Sequence, residues 1–223
     1  MGKPVGVLFD VDGTLVDTPY LHVIAWWQAL RQYEHDVPMA RIHRAIGMGS
    51  DRIIDHLLGH ERDHGDDDAM RAAHASLYAV YWTRLRPTPG ARELVSACDE
   101  RGLRVVLATS ASAPELAALM GMLAVDEYVD TVTGADDAGT SKPAPDILEV
   151  ALRRSGLRPA HVVFVGDAVW DVYASAKLDI ACIGLTSGGI SAGELTEAGA
   201  IEVYEHPRAL LESLDKSAIS AVR

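Results

Sequence analysis

Four continuous apolar runs constrain the fold of this chain more than any other feature of its sequence. The runs are VGVLFDV (5–11), LRVVLATS (103–110), HVVFVGD (161–167) and IACIGLT (180–186). Because apolar residues do not alternate with polar ones, each run is predicted to be a strand that is buried on both faces. Such strands are typical of parallel sheets that helices cover on both sides.

Helical patterns separate these runs. They cover residues 91–101, 114–121, 145–155 and 168–178, and a weaker strand pattern, YVDTVTG, covers 128–134. An alternation of strands and helices is typical of the α/β class. The sequence therefore predicts an α/β fold with a doubly wound, mainly parallel sheet.

Residues 19–86 interrupt this alternation, because they contain no convincing strand pattern. Apolar residues at 23, 26, 27, 30 and 33, and again at 70, 73, 77, 80, 81 and 85, follow helical spacing. We therefore predict a helical domain over 19–86, inserted into an α/β core formed by 1–18 and 87–223. Its aromatic residues are interpreted as the core of that domain; they are Trp26, Trp27, Tyr78, Tyr81 and Trp82.

Composition narrows the range of partners. The net charge is −12 and no long basic run occurs, so a nucleic-acid partner is not expected. No stretch is long enough to span a membrane, and the first residues lack the pattern of a signal peptide. Cys98 and Cys182 lie in apolar segments and are expected to be buried thiols in a reducing compartment. These features predict a cytoplasmic protein without a membrane partner.

The reactive residues of the sequence cluster at the ends of the predicted strands. The segment SKPAPD (141–146) adds a lysine before two prolines, and a second aspartate follows Asp167 by one helical turn. In open parallel sheets, ligands bind beyond the carboxyl ends of the strands, so we expect one shared site. Its predicted members are Asp10, Asp12, Thr109, Ser110, Lys142, Asp167 and Asp171.

These residue types suit phosphate chemistry. A cluster of carboxylates is tolerable only with a hard divalent cation such as Mg²⁺ or with shifted pKa values. Lysine and hydroxyl groups suit phosphate oxygens, particularly at a turn from strand to helix. One carboxylate can attack as a nucleophile, while a second one two residues away transfers protons.

The motifs DVDGTLVDT, the strand-ending Thr109, SKPAPD and VGDAVWD resemble, in this order, the four motifs of the haloacid dehalogenase superfamily. The resemblance covers residues 5–186. It implies a Rossmann-like core with an α-helical cap at 19–86, similar to the branch of phosphoglycolate phosphatase and β-phosphoglucomutase. It also implies an Mg²⁺-dependent phosphatase that hydrolyses a small phosphomonoester through an aspartyl phosphate.

The same resemblance implies a role for each motif residue. Asp10 would be the nucleophile, and Asp12 would be the general acid and base. The implied phosphate-binding residues are Gly13, Thr109, Ser110 and Lys142. The implied metal ligands are Asp10, Asp12 through its backbone carbonyl, Asp167 and, through water, Asp171. Ala168 stands where a serine or threonine is common in the family.

Other activities of the family fit the sequence less well. Haloacid dehalogenases need no metal and lack the second aspartate, and the relatives that cleave phosphonates use a lysine of the cap, whereas residues 19–86 contain none. A mutase that acts on sugar phosphates stays open as an alternative, although IGMGSDRI (46–53) lacks the lysine of the corresponding mutase loop. A non-catalytic module that binds phosphometabolites is the alternative outside enzymes. The chain is expected to be a monomer or a homodimer.

Several residues of the predicted cap are open to more than one interpretation. His22 and Arg52 are candidates for contacts with the substrate, although a packed histidine and a solvated arginine are equally compatible with the pattern. HERDH (60–64) matches the H-E-x-x-H zinc pattern, and His56 adds a third histidine. Glycines bracket this polar motif, so we interpret it as a solvated turn or helix face rather than a zinc site.

Overall fold

The computed structural model describes residues 5–222. Residues 1–4, which belong to the predicted core segment 1–18, and residue 223 lie outside the described part of the chain. One sheet runs through the molecule. Its strands, in chain order, are β1 (Gly6–Phe9), β2 (Arg104–Ala108), β3 (Thr131–Thr133), β4 (Val162–Gly166), β5 (Ala181–Leu185) and β6 (Glu202–Tyr204).

The sheet confirms the predicted α/β class. Its spatial order is β3-β2-β1-β4-β5-β6, and every pair is parallel. Strand β1 lies in the middle, with Phe9 in register with Leu107 of β2 and with Val165 of β4. The chain order reverses on the two sides of β1, and this switch point is where open parallel sheets bind ligands.

Helices cover both faces of the sheet, and shorter helices follow β5 and β6. The helices, in chain order, are α1 (Pro19–Gln32), α2 (Met39–Ala45), α3 (Ser50–Leu58), α4 (Asp67–Ala79), α5 (Ala91–Glu100), α6 (Ala113–Leu123), α7 (Asp146–Ser155), α8 (Val169–Ala176), α9 (Ala192–Ala198), α10 (Pro207–Glu212) and α11 (Ala218–Ala221). None of the helices in the described range 5–222 is both long and apolar enough to cross a bilayer.

The central strand contributes to two separate apolar layers, because successive side chains of a strand point to opposite faces. Val7 and Phe9 belong to the cluster on one face, whereas Leu8 packs with Val106 and Phe164 on the other. All of these side chains are essentially inaccessible to solvent. Burial on both faces explains why the runs are continuously apolar. It also makes β1 a rigid support for the residues that follow it.

Residues 19–86 fold as helices α1 to α4 and a short 3₁₀ turn at Trp82–Arg84, with no strand of the sheet among them. Their own apolar cluster includes Val23, Trp26, Ile53 and Met70. Several hydrogen bonds tie this helical segment to the core. Among them, His43 Nε2 lies 2.9 Å from the Gly188 carbonyl, Trp170 Nε1 donates to the Arg44 carbonyl, and the backbone N–H of Ser141 donates to Asp51.

Candidate active site

The carboxyl ends of β1, β2 and β4 bring the predicted residues to one place. Asp10 follows β1, Thr109 follows β2 and Asp167 follows β4, and all three are buried. Backbone hydrogen bonds continue the sheet into these residues: the N–H of Asp10 donates to the carbonyl of Val165 at 2.9 Å. The stiffness of the sheet therefore extends to the first residues of the site.

Lys142 is the buried cation of the site. Its side chain is completely inaccessible, and its ammonium group hydrogen-bonds to Asp10 and lies 2.8 Å from Asp171 Oδ1. Burial alone would lower the pKa of Lys142, but the two carboxylates outweigh it and raise the pKa. Lys142 therefore stays charged. For Asp10, burial is the larger influence, and it raises the pKa to about 7 despite the contact with Lys142.

Asp167 and Asp171 complete a carboxylate cluster around this lysine. Thr14 Oγ1 donates to Asp167 Oδ1 at 3.0 Å. Asp171 Oδ2 accepts the backbone N–H groups of Asp167 and Ala168 at 3.2 and 3.0 Å, and Oδ1 faces Lys142. Burial, and then the neighbouring carboxylates, raise the pKa of Asp167 well above its ordinary value.

This cluster fits a divalent cation. Carboxylate oxygens of Asp10, Asp167 and Asp171 lie within 4.8 Å of one another, and all three residues are buried. Among residues 5–222, these three carboxylates face one ammonium group, that of Lys142, so the cluster has an excess of negative charge when ionised. An uncompensated buried charge is costly, and hard oxygen ligands are those that Mg²⁺ prefers. The donor set therefore suits Mg²⁺.

Asp12 faces away from this cluster, toward the helical segment. Its Oδ1 accepts from Thr18 Oγ1 at 2.8 Å and lies 3.4 Å from His22 Nε2, while its Oδ2 accepts from Thr109 Oγ1 at 3.3 Å. Burial alone would raise the pKa of Asp12, but these hydrogen bonds, led by that of His22, lower it below its ordinary value.

His22, a predicted substrate residue, lies next to Asp12 and is itself buried. Its Nε2 is 3.2 Å from Glu115 Oε1, and its Nδ1 is 3.2 Å from His74 Nε2. Burial alone would lower the pKa of His22, but hydrogen bonds to Asp12 and Glu115 raise it to about 9. Glu115 and His74 did not stand out in the sequence, because their neighbours at the site come from distant segments.

Of the predicted phosphate-binding residues, Thr109 and Ser110 contribute hydroxyl groups to the site, whereas Gly13 could contribute only backbone groups. Thr109 Oγ1 accepts the N–H of Ala111 at 3.0 Å, and Ser110 Oγ is buried without a hydrogen-bond partner among the described residues. Gly13 stays a predicted phosphate-binding residue, but its backbone N–H is already bonded in this arrangement. The N–H of Gly13 donates to the carbonyl of Val16 at 2.7 Å, which leaves no free donor for a phosphate.

Gly13 has a different function in the structure. Its φ of +80° is one that other residues rarely adopt, and a Cβ there would lie 2.2 Å from Asp167 Oδ2. Gly188 approaches the same carboxylate, since a Cβ there would lie 1.6 Å from Oδ2. The two glycines therefore let the backbone enclose Asp167 closely.

A cavity of about 150 Å³ opens between the strand ends and the helical segment. Asp10, Asp12 and Ser110 line the core side. The opposite side is lined by His22, Trp26, Arg71, His74, Tyr78 and Trp82. Trp26 is buried in the apolar cluster of the helical segment, as predicted, and Trp27 packs half-buried against that cluster. Tyr78 is instead buried in the cluster of the α/β core, where Tyr81 and Trp82 pack half-buried, so for these three the prediction of a separate core is wrong. The hydroxyl of Tyr78 and the indole nitrogen of Trp82 are buried without a partner among residues 5–222.

Arg52 does not reach this cavity. It lies on the exposed side of α3, where it lines a separate surface cavity with His56 and His60. The buried side of α3 is formed by Ile53, Ile54 and Leu57, and this helical phase turns Arg52 outward. The structure therefore does not support the prediction that Arg52 contacts the substrate.

The HERDH segment is not helical, because α3 ends at Leu58 and α4 begins at Asp67. Both histidines are exposed, in agreement with their interpretation as part of a solvated turn. Asp55 and Asp67 lie close to His64, but Arg62 bonds to both carboxylates and supplies the compensating charge. An ion-pair cluster therefore accounts for this segment.

Comparisons with known proteins identify the family of this chain. Residues 5–179 match the family model of the haloacid dehalogenase-like hydrolases. The chain is 30% identical over 207 residues to the phosphoglycolate phosphatases of Shigella boydii and Escherichia coli, and each match covers 82% of this chain and 81% of the relative. The crystal structure of a hydrolase from Pseudomonas syringae is 33% identical, with a TM-score of 0.90, and the match covers 95% of this chain and 98% of that one.

The chain therefore belongs to the haloacid dehalogenase-like hydrolase family. Within that family it is a hydrolase of the phosphatase type, as its similarity to phosphoglycolate phosphatases indicates.

Proposed function

We propose that this protein hydrolyses a small phosphomonoester with Mg²⁺, through an aspartyl phosphate formed on Asp10. The observation that carries the proposal is the arrangement of Asp10. Its carboxylate lies beside the Lys142 ammonium group and the other cluster carboxylates, and it lines the same cavity as Asp12. The proposed nucleophile and the proton-transfer group thus line one cavity, and a fixed, buried cation lies directly beside the nucleophile.

Mg²⁺ would be held by Asp10, Asp167 and the backbone carbonyl of Asp12. When bound, it would offset the charge of the carboxylates and of the phosphoryl oxygens. Asp171 Oδ2 accepts two backbone N–H groups, and Oδ1 forms an ion pair with Lys142 but no hydrogen bond within residues 5–222. Its contribution is therefore indirect: it holds Lys142 in place and adds charge to the cluster.

The chemistry proceeds in two displacements at phosphorus. In the first, a carboxylate oxygen of Asp10 attacks phosphorus, the bond from phosphorus to the alcohol oxygen breaks, and Asp12 gives its proton to that oxygen. In the second, Asp12 takes a proton from water, which attacks phosphorus and releases inorganic phosphate and free Asp10. Two carboxylates therefore complete the cycle, and water is the only reactant consumed besides the ester.

The phosphoryl oxygens would be bound by Lys142, Thr109 and Ser110. Lys142 contributes a buried charge, and Ser110 contributes a hydroxyl that has no partner among the described residues. A buried polar group without a partner costs about 1–3 kcal/mol, so contact with a phosphate would recover part of that cost.

We further propose that residues 19–86 act as a cap over the site. The segment lines one side of the cavity and is hydrogen-bonded to the core near it, through His43 and Asp51. A lid of this kind excludes bulk water from the reaction. The small cavity also supports a substrate with a short leaving group.

A phosphate-release assay over a panel of small phosphorylated metabolites, with and without Mg²⁺, tests the proposal. Phosphoglycolate belongs in the panel because relatives that are 30% identical are phosphoglycolate phosphatases. We expect release that needs Mg²⁺ and that Asp10→Asn reduces by at least about 10³-fold without unfolding the protein. Residual activity within tenfold of wild type would refute the role of Asp10. Turnover of a sugar phosphate without phosphate release, only after a bisphosphate is added, would favour the mutase instead.

A further inference from the structure

Glu115 is a mostly buried carboxylate of the cavity that the two displacement steps do not use. It lies in the first turn of α6, next to the N-terminus, where the helix dipole favours a negative charge. Its Oε1 lies 3.2 Å from His22 Nε2, and the same nitrogen lies 3.4 Å from Asp12 Oδ1. Two carboxylates from different parts of the chain therefore face one ring nitrogen.

A ring nitrogen carries at most one hydrogen, so Asp12 and Glu115 compete for the same donor. Glu115 Oε1 is the nearer oxygen, at an ion-pair distance of 3.2 Å, whereas Asp12 Oδ1 at 3.4 Å meets the geometry of a hydrogen bond. A donor that is shared between two acceptors bonds to each of them less strongly than it would to one alone. The presence of Glu115 thus weakens the hydrogen bond that His22 makes to Asp12.

The imidazole ring cannot easily turn away from this competition. It stacks on the ring of Tyr78, with centroids 3.8 Å apart, and its other nitrogen faces His74 Nε2 at 3.2 Å. The ring is also buried. Packing therefore fixes the orientation of the ring. The two carboxylates then determine how strongly the Nε2–H of His22 bonds to Asp12.

We propose that Glu115 is a positioning residue: by drawing the Nε2 hydrogen of His22 toward itself, it leaves the Asp12 carboxyl free to serve the leaving oxygen. This inference rests on the proposed function, because it assumes that Asp12 protonates the leaving alcohol. Without an acceptor at position 115, His22 bonds to Asp12 alone and keeps the carboxyl turned toward α1, where Thr18 also holds it.

The test compares two substrates that differ in how much they need an acid. Phenyl phosphate releases a weakly acidic phenol and depends on protonation of the leaving oxygen, whereas p-nitrophenyl phosphate releases a stable anion and depends on it little. Glu115→Met keeps the length of the side chain and removes the acceptor. Glu115→Gln keeps an acceptor oxygen. Glu127→Ala, at an exposed position outside the cavity, is the control.

We expect Glu115→Met to lower kcat/KM for phenyl phosphate about tenfold, which is the effect of about 1.4 kcal/mol on a barrier. The same variant should change kcat/KM for p-nitrophenyl phosphate by less than about threefold. Glu115→Gln should keep most of the wild-type kcat/KM for phenyl phosphate, because it retains an acceptor oxygen. Equal losses for both substrates, or no loss for either, would overturn the inference. A thermal unfolding curve for each variant establishes that the proteins compared are folded.

Asp12→Asn separates this inference from the proposed function. In the first displacement, measured as a single-turnover burst of phenol or p-nitrophenol, it should show the same selective loss on phenyl phosphate, and to a greater extent, because the role of Asp12 as base in the second displacement is common to both substrates. If Asp12→Asn does not discriminate between the two substrates, Asp12 is not the acid, and both the proposed function and the inference fail. If Asp12→Asn discriminates and Glu115→Met does not, only the inference fails.

Discussion

Thr14→Val should weaken Mg²⁺ binding much more than it weakens the fold. Thr14 is completely buried, and its hydroxyl donates to Asp167 Oδ1 at 3.0 Å. Valine has nearly the same shape, so the substitution removes the hydrogen bond with little change in packing. The backbone carbonyl of residue 14, which accepts from Thr88, is unaffected by the change.

The expected magnitude follows from the charge of the acceptor. A hydrogen bond to a charged group contributes about 1.5–3 kcal/mol, and loss of a partner that orients a metal ligand typically costs about 10- to 100-fold in metal affinity. Burial and the neighbouring carboxylates raise the pKa of Asp167, whereas Thr14 lowers it. The variant should therefore raise that pKa further, so that a proton competes better with the metal and the loss is greater at lower pH.

The assay is the Mg²⁺ dependence of phosphate release, measured near pH 6 and pH 8. Thr133→Val is the matched control: Thr133 is a buried threonine whose hydroxyl donates to the Leu107 carbonyl, and it lies on β3, which β2 and β1 separate from the strand that precedes Asp167. Thr133→Val should cost about 1 kcal/mol of stability and leave the Mg²⁺ activation constant unchanged. A Thr14→Val activation constant within about twofold of wild type at both pH values would refute the assignment of Asp167 as a metal ligand.

Three further predictions test other parts of the molecule. Chelation of divalent metal should abolish phosphate release and added Mg²⁺ should restore it; an unchanged rate would contradict a metal at the carboxylate cluster. Replacing His60 and His64 by Ala should leave kcat/KM within about twofold of wild type, because both are exposed and outside the cavity, and complete loss would revive the zinc interpretation. The hydrogen bond from Arg62 lowers the pKa of Asp67 to about 2, so this carboxylate stabilises the fold above about pH 4 and stops doing so as pH falls toward 2. Asp67→Asn should therefore lower stability by about 1 kcal/mol at pH 7, a value reduced for solvent screening, and the difference from wild type in thermal unfolding should shrink below pH 4; a difference that does not depend on pH would contradict the ion pair.

The sheet could be predicted because its central strands are buried on both faces. Runs such as VVFV in β4 contain no polar residue, so the strand pattern is clear. Because the strands are parallel, the residue that follows each of them could be placed at the carboxyl-end edge of the sheet. Strand β6 lacks this signal. It is three residues long and half-buried, and Glu202 and Tyr204 are polar enough to resemble a loop. A short edge strand is recognised through its neighbour, here β5, rather than through its own residues.

Topology alone predicts the site residues that directly follow strands, whereas Lys142, which precedes α7, is predicted through the SKPAPD motif. Asp10 and Asp167 follow strands directly, so their convergence is a consequence of topology. Glu115 and His74 are placed by helix packing and side-chain direction, and spacing along the chain does not report either. Arg52 shows that spacing along the chain does not fix side-chain direction: a shift of one position along α3 separates the buried face from the exposed face on which Arg52 lies. Gly13 shows that a motif does not report backbone hydrogen bonds: the Gly13 N–H donates to the Val16 carbonyl in the folded chain.

The distribution of unpartnered polar atoms explains why the cavity needs both the core and the helical segment. Ser110 contributes one such atom from the core, and Tyr78 and Trp82 contribute two from the opposite side. Each buried group without a partner costs about 1–3 kcal/mol, and folded proteins carry few of them. Burial raises the pKa of Tyr78, with a further contribution from Asp12, so its hydroxyl remains a donor. A ligand with oxygen atoms at both ends would satisfy donors on both sides at once, and a phosphate ester with a polar leaving group has that composition. The energetic cost of these unpartnered groups thus lies where a bound ligand can offset it, and this supports the proposed role of residues 19–86 as a cap.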